Sequence, residues 1–120
     1  MLAGGRLEDA ARLAFCCLAI SHLLVQLIKR SVGRPRPLPL GNAVVHITAP
    51  DQFSFPSGHA AAAMSVAFGY AVSFPALVPV LAPMAVLVGF SRVCLGVHYP
   101  GDVLIGQALA LVTGAVLLAL

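Results

Sequence analysis

An all-α, polytopic transmembrane bundle of about four helices is the fold class that the sequence predicts, and three observations predict it. Hydrophobic residues make up 60% of the 120-residue chain and charged residues only 9%, against about half and about a quarter in soluble domains. Mean hydropathy is +0.99, too high for a short chain whose few charges would have to cover a large surface. The apolar residues also fall into long runs, separated by breaks rich in proline and glycine. A chain of this length holds one domain at most, spanning 1–120.

Residues 1–9 form a polar lead-in carrying Arg6, Glu8 and Asp9. The first helix is expected at about 10–28, an apolar run interrupted by Arg12, Ser21, His22 and Gln26. At 1.5 Å per residue it nearly spans a hydrocarbon core. No small-residue cleavage site follows it, and it runs directly into Lys29, so it reads as a retained helix rather than a signal peptide. His22 and Gln26, spaced i, i+4, share a face expected to turn toward other helices, with His22 in a packing role.

A loop is expected over 30–57. Pro35, Pro37, Pro39, Pro50 and Pro56, with Gly33 and Gly41, forbid a continuous helix there. Val44 to Thr48 fits either a short strand or an interfacial segment. Asn42, His46 and Asp51 are loop polar groups for which solvation is the default reading. The second helix is expected at 58–73, where Ala60 to Ala63, Ser65, Ala67 and Gly69 supply small residues for close packing. Phe74-Pro75 breaks the run. A third helix follows at 76–92, with Pro79 and Pro83 expected to kink it. Pro100-Gly101 is a helix-start signal, and the fourth helix runs from about Asp102 to Leu120.

Four helices that alternate across a membrane bring particular ends together. Lys29 ends the first, His59 begins the second, Arg92 ends the third, and His98 and Asp102 begin the fourth. All of these residues therefore fall on one side. The net charge is +3, and Lys29, Arg30, Arg34 and Arg36 form a cluster. Such a cluster fits an anionic membrane surface or a phosphorylated ligand. Without an extended basic face or interleaved aromatics, nucleic acid is not a partner. Cys16, Cys17 and Cys94 have no metal-ligand spacing and read as small residues of the membrane core, so no metal site is expected.

The residues gathered at that side suit phosphoryl transfer. Lys29, Arg36 and Arg92 can supply positive charge, the arginines with forked donors matched to phosphate. Ser57 and Gly58, directly before a helix, can offer hydroxyl and backbone N–H groups where the helix dipole favours an anion. A neutral histidine can attack phosphorus if a carboxylate holds the proton on its other nitrogen. His98 has Asp102 nearby, so it is the better nucleophile, which leaves His59 as general acid for the leaving group.

Three motifs carry a family resemblance. Lys29 to Pro37 fits K-x6-R-P, Pro56-Ser57-Gly58-His59 fits P-S-G-H, and Ser91-Arg92-x5-His98-x3-Asp102 fits S-R-x5-H-x3-D. Together they resemble the type 2 phosphatidic acid phosphatase superfamily, which includes bacterial acid phosphatases and vanadium haloperoxidases. The resemblance implies metal-independent hydrolysis through a phosphohistidine, with no cofactor. It assigns phosphate binding to Lys29, Arg36, Ser57, Gly58 and Arg92, leaving-group protonation to His59, attack to His98, and its support to Asp102. Arg34 and Ser91 would have supporting roles. Membrane members typically have six helices, and this chain resembles the last four, which points to missing N-terminal helices, a minimal form or a homo-oligomer.

The leading expectation is a membrane phosphatase acting on a lipid phosphate or diphosphate, of phosphatidic acid, phosphatidylglycerol phosphate or polyprenyl diphosphate type. The alternatives are a lipid phosphotransferase and an inactive lipid-phosphate-binding membrane protein; the membrane helices argue against a haloperoxidase. The basic residues outside the motif positions, Arg6 and Arg12 against Arg30 and Arg34, do not settle sidedness. An outward-facing site in a bacterial plasma membrane follows from the resemblance alone.

Overall fold

The structure is a computed structural model that describes residues 3–33 and 54–120. It contains four α-helices: α1 (Ala3–Val32), α2 (Gly58–Ser73), α3 (Val78–Cys94) and α4 (Pro100–Ala119). A single 3₁₀ turn, Pro75–Leu77, joins α2 to α3, and the described residues include no strand. The expectations placed on Arg34, Arg36, Asn42, His46, Asp51 and the Val44–Thr48 segment lie outside the described residues.

α1 begins well before the expected Ala10 and takes in the polar lead-in. Arg6, Glu8 and Asp9 are exposed, and Glu8 stands one turn before Arg12, a spacing that supports helix without any core contact. The helix closes at Gly33, whose φ of +64° lets its N–H reach the Lys29 carbonyl at 2.9 Å. That left-handed position suits glycine. Proline ends α2: Phe74 caps it, and Pro75 starts the 3₁₀ turn. Pro79 lies in the first turn of α3. The missing N–H costs nothing there, so only Pro83 stands inside the helix.

α2 is the central element, packing against α1, α3 and α4, whereas the α1 and α3 backbones do not approach each other closely among the described residues. Small residues allow the close approach. A Cβ added at Gly69 would stand 2.5 Å from the Ala14 backbone, so α1 and α2 touch nearly backbone to backbone. Ser21 and Ser65 bond hydroxyl to hydroxyl across the same interface at 2.9 Å. Each hydroxyl also reaches a carbonyl of its own helix, Ser65 that of Ala61 at 2.8 Å and Ser21 that of Leu18 at 3.3 Å. Cys17 donates to the Ala110 carbonyl and ties α1 to α4.

The buried residues form stripes. On α1 they are Ala10, Ala14, Cys17, Ser21, Val25 and Lys29; on α3, Ala85, Gly89 and Arg92. Spacings of three and four keep each stripe on one face. Large apolar side chains make up much of the surface, with Phe15, Leu23, Val80, Leu87, Phe90, Leu104 and Val112 all more than half exposed. α1, the Pro75–Cys94 stretch and α4 are long and apolar enough to cross a membrane. At 16 residues, α2 reaches about 24 Å, short of a full hydrocarbon core.

Two expectations need correction. His22 is exposed and Gln26 half-buried, because the packing face of α1 passes through Ser21, Val25 and Lys29 instead. Of the cysteines only Cys17 is buried; Cys94 is exposed at the end of α3.

Candidate active site

The Ser54–Gly58 turn meets α1 at Val25, α4 at Asp102 and Gly106, and the α3–α4 connection at His98. The packing stripes of α1 and α3 end in cations, so Lys29 and Arg92 enter the bundle by the faces that hold it together. Their exposures are 4% and 7%. Such burial of charge demands compensation. Val25, one turn before Lys29, faces Gly58, with 3.9 Å from its Cγ1 to the place a Cβ would take. This contact seats the last turns of α1 beside the start of α2.

Ser57 caps α2. Its Oγ accepts from the Ala60 N–H at 3.2 Å, and its own N–H donates to the Asp102 carbonyl at 2.9 Å. α2 opens at Gly58, and the first N–H groups of a helix have no internal acceptors. Ser57 and its neighbour Pro56 are buried, whereas His59 is exposed at the mouth of the helix. The turn is held against α4 by close packing. A Cβ at Gly106 would collide with the Ser57 carbonyl oxygen.

His98 sits in the connection between α3 and α4 with 3% exposure. Its Nδ1 lies 2.8 Å from the backbone carbonyl oxygen of Ser54. A carbonyl only accepts, so Nδ1 carries the proton and Nε2 holds the lone pair of the neutral ring. Asp102 has a different geometry from the one its spacing suggests. Its Oδ2 lies 3.6 Å from Nδ1, too long for a hydrogen bond, and accepts the Tyr99 N–H at 2.7 Å. The carboxylate thus caps α4 and lends negative charge to the imidazole, while the Ser54 carbonyl sets the tautomer. Ser54 escaped the sequence reading because a main-chain carbonyl carries no side-chain signature.

Ser91 is exposed and donates to the Val88 carbonyl at 2.7 Å, turned back on its own helix. Arg36 and Arg34 lie outside the described residues. The described residues contain no cluster of histidine, cysteine and acidic side chains able to hold a metal ion.

The model of the PAP2 superfamily matches residues 10–120. The chain belongs to the PAP2 superfamily. Among curated proteins, this PAP2 chain is 42% identical over 99 residues to decaprenylphosphoryl-5-phosphoribose phosphatase of Mycobacterium tuberculosis, covering 81% of the chain and 53% of that protein. The chain thus spans about half the length of that relative. Among solved structures it resembles LpxE of Aquifex aeolicus, with a TM-score of 0.77 and 26% identity over 94% of this chain and 69% of that one. It also resembles the transmembrane PAP2-type phosphatidylglycerolphosphate phosphatase of Bacillus subtilis, with a TM-score of 0.69 and 30% identity over 94% and 61%. With three helices of spanning length, this PAP2 chain is an integral membrane protein.

Proposed function

We propose that the protein is a membrane-embedded phosphatase that hydrolyses a lipid phosphate or diphosphate through a phosphohistidine on His98. The observation that carries this reading is the bond from His98 Nδ1–H to the Ser54 carbonyl at 2.8 Å. It puts the proton on Nδ1 and so makes Nε2 the nucleophilic atom of the neutral ring, with the buried cations Lys29 and Arg92 assigned to the phosphoryl oxygens. The named activities of the relatives, on a decaprenyl phosphoribose and a phosphatidylglycerol phosphate, support a substrate that joins a phosphoryl group to a hydrocarbon anchor.

In the first step Nε2 forms a bond to phosphorus as the bond to the leaving oxygen breaks. His59, protonated, gives its proton to that oxygen. Lys29, Arg36 and Arg92 neutralise the equatorial oxygens, helped by Gly58 and the Ser57 hydroxyl. The phosphorylated ring is cationic while Nδ1 keeps its proton, and the Asp102 carboxylate 3.6 Å away stabilises that charge. In the second step water attacks phosphorus, neutral His59 takes its proton, and the P–N bond breaks to return His98 and free phosphate.

The test is phosphate release by purified protein from a panel of lipid and soluble phosphates, with and without EDTA. Release that persists in EDTA and disappears in His98→Ala is expected. Continued release from His98→Ala would remove His98 as the nucleophile, and none from the unaltered protein on any substrate would remove the enzyme reading.

A further inference from the structure

The connection between α3 and α4 is built from two helix caps placed back to back. α3 ends on Leu95, still in right-handed conformation, and Gly96 follows with a φ of +78°. The Gly96 N–H donates to the Val93 carbonyl at 3.0 Å, and the Val97 N–H donates to the Arg92 carbonyl at 3.3 Å. These are the nested bonds of a C-cap that needs a left-handed residue where Gly96 stands. Val97 is buried, which holds the closed turn against the bundle. The second cap opens α4. Tyr99 donates its N–H to Asp102 Oδ2 at 2.7 Å and accepts the Asp102 N–H on its carbonyl at 3.0 Å.

His98 is the one residue between the caps, so its main chain is held from both sides while the Ser54 carbonyl holds its ring. The motif spacings follow from this arrangement. Arg92 stands where the outer bond of the C-cap lands, and His98 comes directly after the residue that donates that bond. Asp102 is the third residue of α4, where a carboxylate reaches back to the N-cap. R-x5-H and H-x3-D are therefore the arithmetic of a C-cap followed by an N-cap.

We infer that Gly96 is a positioning residue for phosphoryl transfer: its left-handed backbone closes the bond between Arg92 and Val97 and so fixes His98 relative to Arg92. The inference rests on the phosphatase reading, which makes Arg92 a phosphate clamp and His98 the nucleophile. A Cβ at this φ crowds the following carbonyl, and a β-branched side chain is the worst fitted to it. Such a residue relieves the strain by leaving the left-handed region, which breaks the outer bond of the cap. α3 and α4 keep their own packing, but His98 loses its register with Arg92.

The experiment uses the full chain in detergent micelles, well below its unfolding transition. It reads kcat for p-nitrophenyl phosphate per folded protein, with the folded fraction taken from circular dichroism. Gly96→Val should lower kcat roughly 10²-fold, the scale of a small misplacement of a reacting group. The inhibition constant of inorganic phosphate should stay within about threefold, because the other groups assigned to phosphate are untouched. Gly96→Asn should lose less than Gly96→Ala, since asparagine is larger but tolerates the left-handed region better. One alanine inserted between Val97 and His98 lets both caps form and only slackens the chain between them. That insertion should keep the helix content and lose kcat as Gly96→Val does, and it serves equally should Gly96→Val fail to fold. The proposal is overturned by an insertion variant with kcat within about threefold of the unaltered protein. It is overturned equally if Gly96→Ala outperforms Gly96→Asn, or if the inhibition constant rises in step with the lost kcat. Turnover that survives in His98→Ala would instead remove the phosphatase reading, and this proposal with it.

Discussion

At the scale of single residues, the distinction between the Ser54 carbonyl and the Asp102 carboxylate has consequences. Asp102→Asn keeps an oxygen for the Tyr99 N–H and leaves the Nδ1 bond to Ser54 untouched. It removes only the negative charge, so kcat should fall roughly 10²-fold, equivalent to about 2.7 kcal/mol, with the fold intact by circular dichroism. His98→Ala should abolish turnover. In the proposed mechanism His59 acts on the leaving oxygen, so His59→Gln should slow an alkyl phosphate by roughly 10²- to 10⁴-fold. It should barely affect p-nitrophenyl phosphate, whose leaving group needs no proton; equal losses on both substrates would take the acid role from His59. Gly58 is a third case. A Cβ there meets nothing nearer than Val25 Cγ1 at 3.9 Å, so Gly58→Ala should leave thermal stability unchanged. The methyl group should instead weaken inhibition by inorganic phosphate, read as a raised inhibition constant.

At the scale of elements, the faces that build the bundle also carry the residues assigned to the proposed chemistry. Lys29 ends the packing stripe of α1, Arg92 that of α3, and Asp102 begins that of α4. The Ser57 turn is clamped between α2 and α4 at Gly106, so Gly106→Ala should push the Ser57 carbonyl aside. Overpacking of this kind costs roughly 1–3 kcal/mol. The expected result is a lowered unfolding temperature in detergent together with lost activity, because the same turn carries Ser54. Ser65→Ala lies far from the chemistry and deletes the hydroxyl bridge to Ser21. It should cost about 1 kcal/mol and leave kcat near that of the unaltered protein. If both variants lost stability and activity in the same proportion, the clamp would have no special link to the site.

At the scale of the whole molecule, the large apolar side chains left outside the bundle require a lipid surround. The protein should therefore stay in the membrane pellet through alkaline carbonate extraction and enter solution only with detergent; release by carbonate would contradict a spanning fold. The helical class was legible from composition and from the proline breaks, since Phe74-Pro75 and Pro100-Gly101 end and start helices by removing N–H donors and restricting the residue before proline. The length of α1 was not, because charged residues at 6, 8 and 9 read equally well as coil or exposed helix. His22 was misread for a related reason. A helical face can be drawn from sequence, but which face is covered depends on where the neighbours carry their small residues. By itself the sequence determined the helices and their breaks, and from them the expectation that Lys29, His59, Arg92, His98 and Asp102 gather at one side, because hydropathy and alternation are properties of order along the chain. Only the tertiary structure decided that a backbone carbonyl, and not the nearest carboxylate, holds the proton of His98. Hydrogen bonds are won by distance in space, and Ser54 is 44 residues away in sequence yet 2.8 Å away in the fold.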